Sequence, residues 1–564
     1  MGSWTTGRIV AATVVGTLAM GAGVATADAT EPWVDPDPSE PPERYALGDD
    51  FGIRINSAEY RNQFTFVNPI ALNEEANRRF NVLEHRGRIG TTVDYLDKVK
   101  LTVGLDLLDG VLWGDNGTFG ADPSSDVGVN IAARDPNLTV PCIAVRNEDE
   151  PLVPSSYGFG LCEGTPVKVR RLFGQVNTPI GAIRAGRQPL GVGMGVQNAT
   201  GDGRENRWGV ANEGDQADRI LFATKPLEAF KDKEDRDLSE DRGLITAVMY
   251  DRVVSDFARA FGDDVHQVAT ALSYRNPDFG VGRDMHALLF YAHRWNTEFD
   301  SAINAIGGRF TARFGDFHVG AAGVVNIGST REISSANSLV TNDPIVDDDI
   351  LQWGGRVTAR YDHQPESRQR PMVTGYIEGM YASGDRDPQP GTPLTQFRWS
   401  EDTNVGLLLF EHVVRFQSGR AAAAGAEILR RLDATSFSAE RIDSRGAFTN
   451  AMAIFPQFDI RPHDDVLFRL GVLVAWAAED VVDSLQSLQN KDGTEIEDDL
   501  VNFVGGRPGN FYGTELDGRF QWRFLEHFAL DLEAAVLFPG DALEDINGAA
   551  NNSFLTQART TFFF

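Results

Sequence analysis

Along most of the chain, apolar and polar residues alternate with period two in segments of about ten residues. That is the spacing of a tilted strand crossing a bilayer with one face in lipid and the other in water. The clearest segments pair across tight turns. Arg86 to Val93 leads through Leu96-Asp97-Lys98 into Val99 to Leu107, and Val167 to Asn177 turns at Thr178-Pro179-Ile180 into Gly181 to Gln188. Ile306 to Phe314 turns at Gly315-Asp316 into Phe317 to Val325. Met452 to Arg461 and Leu467 to Trp476 flank Pro462-His463-Asp464, and Tyr512 to Arg523 and Phe528 to Val536 flank Leu525-Glu526-His527. Long connectors lie between such hairpins, near residues 67–79, 114–165, 195–217, 331–350, 384–448, 480–510 and 539–552. Alternating short and long connections predict an all-β chain: a single transmembrane antiparallel β-barrel of about 18 strands (16–18) over residues 49–564, with periplasmic termini and long external loops. A soluble sandwich or propeller would have shorter strands and more even connectors.

The ends of the chain extend this picture. Arg8, the apolar stretch Ile9 to Gly23 and Ala25-Thr26-Ala27 read as a signal peptide over residues 1–27. Residues 28–48, with EPWVDPDPSEPPER at 31–44, read as a Pro-rich acidic periplasmic leader. The last segment places Phe554, Thr556, Ala558, Thr560, Phe562 and Phe564 on one face and Leu555, Gln557, Arg559, Thr561 and Phe563 on the other. A closing strand of this kind resembles the C-terminal assembly signal of bacterial outer-membrane barrels. The resemblance implies recognition by the barrel-assembly machinery through the strand ending at Phe564, and a location in the bacterial outer membrane surrounded by lipid and lipopolysaccharide.

Reading faces by alternation gives the lumen its chemistry. Arg309, Thr311 and Arg313 oppose Ile306, Phe310 and Phe314; Arg356, Thr358 and Arg360 oppose Trp353, Val357 and Tyr361. Glu515, Asp517, Arg519, Gln521 and Arg523 oppose Tyr512, Leu516, Phe520 and Trp522. Arg86, Arg88, Lys100, Arg275, Arg469 and Arg559 join the lumen by the same rule, as do the acids Asp94, Asp106, Glu378, Asp459, Asp531 and Glu533. Arginine outnumbers lysine in this set, and its planar fork suits carboxylate or phosphate. Rings of arginine favour anions, whereas Arg–Asp ladders merely keep a wall polar; both readings stand at this point. For Arg170, Arg171, Arg184 and Arg187, either alternation sends an arginine toward lipid unless a bulge intervenes.

One connector breaks the pattern. From Asn404 to Leu432, Leu407, Leu408, Phe410, Val413, Val414, Ala426, Ile428 and Leu429 recur near helical spacing. Two placements are open: folded into the mouth, where the segment narrows the channel, or resting on the external rim.

The net charge of −29 excludes nucleic acid as a partner and places the acidic surplus in loops. Cys142 and Cys162 are the two cysteines, and both fall in one long connector, where an exported chain would join them by a disulfide. The nine histidines show no metal-ligand spacing and no neighbouring nucleophile motif, so no enzyme and no resident cofactor is expected. Loop-bound calcium is a side expectation from two acidic groups: Asp202, Glu205, Glu213, Asp215 and Asp218, and Asp385, Asp387, Glu401 and Asp402.

Three stretches carry a further resemblance. Arg171-Leu172-Phe173-Gly174-Gln175-Val176-Asn177-Thr178-Pro179-Ile180-Gly181-Ala182-Ile183-Arg184-Ala185-Gly186-Arg187-Gln188 resembles a strand-turn-strand unit of large bacterial outer-membrane porins and alginate-export-like barrels. Tyr381-Ala382-Ser383-Gly384-Asp385 and Tyr512 to Asp541 are similar to further parts of the same group. The resemblance implies a monomeric channel. The expectation is passive diffusion of small polar or anionic solutes through an Arg-lined lumen. Export of an acidic polysaccharide and a non-conducting surface anchor or adhesin are the alternatives.

Overall fold

The computed structural model describes residues 44–563 apart from 49, 73–78, 97, 115–164, 192–193, 204–205, 212–213, 233, 238, 240–241, 256–264, 298, 364–370, 387–390, 419–443, 482–508, 525–526 and 545–547. The residues read as a signal peptide, most of those read as a leader, Cys142, Cys162 and Phe564 lie outside the described residues. The strands are β1 (Arg44–Leu47), β2 (Phe51–Asn68), β3 (Phe80–Tyr95), β4 (Val99–Gly114), β5 (Thr165–Thr178), β6 (Gly181–Pro189) and β7 (Gln216–Thr224). They continue with β8 (Gly243–Ser255), β9 (His266–Asp278), β10 (Arg283–Asn296), β11 (Ser301–Phe314), β12 (Phe317–Thr330) and β13 (Asp348–His363). The last are β14 (Met372–Ala382), β15 (Ala451–His463), β16 (Val466–Ala477), β17 (Phe511–Phe524), β18 (Phe528–Pro539) and β19 (Ser553–Phe563).

Each strand from β2 onward pairs antiparallel with the next, and β19 returns to β2 with Phe554 opposite Asn68 and Phe563 opposite Glu59. Setting aside short β1, the 19-stranded sheet is a closed ring of 18 strands, so backbone groups within the lipid pair around the ring. Among the described residues no helix is long and apolar enough to cross a membrane. The crossing is made by strands.

Alternation sorts the side chains. Leu289, Leu470, Ile220 and Val357 are 64%, 64%, 60% and 57% exposed, on an outer face that lipid covers. Aromatic pairs mark both interfaces: Phe51–Tyr95, Phe317–Tyr361 and Phe528–Phe562 at the short-turn end, and Trp353–Tyr381, Trp476–Phe511 and His266–Trp295 at the other. The predicted hairpins form as β3–β4, β5–β6, β11–β12, β15–β16 and β17–β18. β2 starts and β19 ends at the short-turn end.

Three details depart from the alternation. Tyr512, expected outward, is 2% exposed. β16 pairs Ala475 with Gly513 and Trp476 with Phe511, so Tyr512 is a bulge residue, and the bulge rotates its ring into the lumen. Arg44–Leu47, assigned to the leader, is instead β1 on the edge of β2. The connection between β7 and β8 at the short-turn end is longer than the tight turn expected there, and it includes a helical turn at Pro226–Ala229.

Candidate functional site

Every acid read as lumenal (Asp94, Asp106, Glu378, Asp459, Glu515, Asp517, Asp531 and Glu533) is buried, so period two set the faces correctly there. The predicted arginines divide into two populations.

The first is locked in ion pairs along β2–β5 and β13–β19. Arg86 meets Glu59 at 2.8 Å, and Arg88 grips Asp106 with Nε–Oδ1 at 2.7 Å and Nη2–Oδ2 at 3.0 Å. Arg356 meets Glu378 at 2.6 Å and Arg360 meets Asp362 at 2.8 Å. Arg469, fully buried, holds Asp459 through both forks at 2.8 and 2.9 Å. Arg519 meets Asp531 at 2.7 Å, and Arg559 meets Glu533 at 3.1 Å. These bidentate pairs satisfy charges that water reaches poorly. Lys100 and Arg523, half-buried, face inward on β4 and β17.

The same arginines fasten a loop. Residues 190–215, between β6 and β7, leave the wall and cross the lumen. Arg88 Nη1 donates to Gly201 O at 3.0 Å, Arg356 Nη1 to Met194 O at 3.1 Å and Arg519 Nη1 to Arg207 O at 3.0 Å; Arg469 Nη1 also donates to Arg207 O. Arg207 reaches β15, its Nη2 lying 3.0 Å from Asp459 Oδ2, while its guanidinium sits 4.1 Å from the centre of the Tyr376 ring. Trp208 stacks on Phe455 and its indole N–H donates to Gln457. Gly471 makes room for this, since a Cβ there would lie 2.9 Å from the Trp208 ring.

The ambiguous arginines resolve through the same loop. β4 pairs Gly104 with Arg171 and Leu105 with Val169, leaving Arg170 as a bulge residue. Both guanidiniums therefore turn inward onto Asp202, Arg171 at 2.7 Å and Arg170 at 3.8 Å. Arg184 is lumenal on Gln175. Arg187 faces outward and pairs with Asp218 at 2.7 Å.

A second loop, between β14 and β15, also enters the mouth. Leu409–Val414 is a π-helical turn whose Leu408, Leu409, Phe410 and Val413 are fully buried. Of the two placements open for this connector, the mouth is the one adopted; Ala426, Ile428 and Leu429 lie outside the described residues. The lumenal carboxylate of Glu515 accepts three backbone N–H groups, from Leu407 at 2.7 Å, Leu408 at 2.9 Å and Leu409 at 2.6 Å. A carboxylate receiving the free donors of a helical turn is a strong anchor. Gly406, at φ +76°, lets the turn approach, because a Cβ would sit 2.8 Å from Glu515 Oε1. Phe410 packs on Phe448 and on the inverted Tyr512 ring. The two loops are tied together: Asn206 Nδ2 donates to Asp402 O at 2.8 Å, and Thr403 Oγ1 to Gly195 O at 2.9 Å.

Of the acids expected to offer calcium ligands, Glu205, Glu213 and Asp387 lie outside the described residues, and the others have protein partners. Asp202 meets the bulge arginines, Asp215 accepts the Ala199 N–H, Asp402 accepts the Gly214 N–H and Asp218 meets Arg187. Among the described residues, no group of three or more His, Cys, Asp or Glu is placed to hold a metal ion.

The second population lines β9–β11. Arg275, Arg309 and Arg313 are half-buried and inward-facing, together with Arg294 and with His286, whose Nε2 contacts Ser273 Oγ at 2.9 Å. Between them the wall is small or apolar: Ala269, Ala271, Leu288, Phe290, Ala292, Ala305 and Gly307. β11 carries no Asp or Glu at all. The loop fastenings described above fall on β3, β5 and β13–β17.

Arg207, Trp208, His286 and Arg294 were absent from the sequence reading. Period two exposes strand faces, whereas Asn206-Arg207-Trp208 sits in a connector with no periodicity. A cation beside an aromatic in a Gly-rich loop is the one clue it left.

A sealed antiparallel ring with an apolar exterior, aromatic girdles and a charged interior defines a bacterial outer-membrane β-barrel. The alginate export family profile matches residues 437–556, the stretch holding β15 to β18 and the start of β19. Among solved structures, Acinetobacter baumannii OccAB3 is 8% identical, with 90% of this chain and 98% of that one covered at a TM-score of 0.45. A BenF-like porin from Pseudomonas fluorescens Pf-5 is 9% identical over 90% of this chain and 98% of its own, at 0.43. Pseudomonas aeruginosa OccK2 (OpdF), in complex with glucuronate, is 10% identical over 92% and 98%, at 0.41. No curated protein sequence matches the chain.

Proposed function

We propose that this barrel is a passive channel, not an enzyme, and that small polar or anionic solutes pass along the β9–β11 wall. One observation carries the reading: Arg275, Arg294, Arg309 and Arg313 project from strands whose inward positions from Gln267 to Arg275 on β9, and along all of β11, hold no carboxylate. Guanidiniums on strand faces that supply no carboxylate raise local anion concentration in a low-dielectric tube, and small side chains between them leave width. The two inserted loops then set the size limit.

Reversal potential in a planar bilayer under a salt gradient tests this. The wild type is expected to prefer anions, and Arg275→Gln with Arg309→Gln to lower that preference several-fold. A closed barrel, or a cation preference indifferent to both substitutions, would overturn it.

The profile match at residues 437–556 favours a second reading, export of an acidic polysaccharide. Long uronate oligomers would then traverse the pore instead of blocking it. A surface anchor or adhesin would give no conductance. For assembly, β19, the last strand of the ring, is the segment offered to the barrel-assembly machinery.

A further inference from the structure

The outer face carries a feature that conduction does not use. Arg187, Asp218, Arg252, His266 and Trp295 occupy one continuous cross-strand row over β6 to β10, each in register with the next. All face outward. Arg187 Nε meets Asp218 Oδ1 at 2.7 Å, with the two side chains 30% and 48% exposed, and Arg252 is exposed on the far side of Asp218. Tyr250 O–H bonds His266 Nδ1 at 2.8 Å, and the His266 ring stacks on Trp295.

The row's depth decides its meaning. These residues lie within the last few positions of their strands at the long-loop end, level with Trp295 of the interfacial girdle. Charges on a lipid-facing strand are costly at mid-membrane and nearly neutral at the interface. Directly beneath, the outward residues are Ile220, 60% exposed, Tyr250, 42% exposed, and Val268, with Phe222 and Val248, 54% exposed, in the next row. Cations above and an apolar, aliphatic and aromatic face below match a molecule with an anionic head and acyl chains. In a chain of net charge −29, two arginines bracketing one acid make a locally positive spot where the rest of the molecule would repel such a head group.

We propose that this row docks the phosphorylated head group of an outer-leaflet lipid, with the Arg187 and Arg252 guanidiniums on phosphate oxygens, the His266–Trp295 stack against the sugar or glycerol moiety, and Ile220, Val248 and Val268 against the acyl chains. Asp218 orients Arg187 and also competes with the phosphate for it.

Native mass spectrometry of the full-length protein in detergent tests the assignment, using bis-phosphorylated lipid A and its dephosphorylated form as probes. The wild type should retain the phosphorylated probe preferentially. Arg187→Gln and Arg252→Gln should each lower retention roughly fivefold, in line with the contribution of one basic residue at an anionic lipid surface. Asp218→Asn should raise it, because it frees a guanidinium. Heat-modifiable migration and unchanged single-channel conductance report an intact barrel and keep the result separate from the channel reading. Equal retention of both probes by the wild type, or retention unmoved by Asp218→Asn, would overturn the proposal. If the arginine variants fail to fold, Asp218→Asn decides alone.

Discussion

The β15–β19 wall and the β9–β11 wall use the same residue type for opposite ends. On the first, Arg469, Arg519 and Arg559 each face a carboxylate within 3.1 Å, and Arg469 and Arg519 also donate to the loop carbonyl of Arg207. On the second, Arg275 and Arg309 are half-buried on an inward face where β9 from Gln267 to Arg275 and all of β11 supply no carboxylate. An arginine locked to a wall carboxylate holds architecture in place; under the proposed function, one on a wall that supplies no carboxylate acts on what passes. Counting lumenal arginines from sequence merges these roles, and the sign of the passage then goes unread.

The largest effect that would break this contrast comes from Asp459. Asp459→Ala strands Arg469 and Arg207 without their carboxylate and should cost about 3–5 kcal/mol, read as a lower midpoint of heat-modified migration. Arg309→Gln on the other wall should stay within about 0.5 kcal/mol. Equal losses would erase the distinction between the walls.

Glu515 comes next. Glu515→Ala leaves three N–H groups of the inserted turn without their acceptor, at about 1–3 kcal/mol. The loop should then leave the mouth, raising unit conductance and exposing the 404–418 segment to protease while the barrel persists. Unchanged conductance would show that the loop does not limit flow.

The mildest perturbation, one that changes no residue, is a pH dependence set by Glu411 on the inserted turn. Burial pushes its carboxyl up from an ordinary 4.5 to about 8; Arg415 opposes the shift, and Asp402, Glu84 and Glu401 reinforce it. The docked loop thus favours the protonated acid. Docking is at full strength below pH 4.5, weakens as pH rises toward about 8, and levels off above. Opening events should be more frequent at pH 8 than at pH 5, and Glu411→Gln should flatten the profile.

The ring was legible in sequence because each strand repeats its alternation many times, so hairpins, connector asymmetry and the lumenal acids could be read together. Tyr512 and the Arg170–Arg171 pair were not assignable in advance. A bulge depends on which partner residue stands opposite, and one chain does not print its pairings. Leu407 to Val414 showed an amphipathic pattern, but whether it entered the mouth or lay on the external rim rested on Glu515, more than a hundred residues away. Arg187 had the opposite difficulty: an outward arginine looks like an error of alternation until its neighbours in the row are known.

β1 has a consequence for how the cylinder behaves among its neighbours. β19 pairs with β2 only as far as Glu59, while β2 runs on to Phe51, so the closing seam leaves a stretch of strand with bare amide and carbonyl groups. Arg44 to Leu47 fold back over it, pairing from Arg54 to Phe51. The segment acts as a flap over an adhesive margin. Trimming the chain to start after Gly48 should leave the pore intact yet let two molecules zip together side by side along that margin.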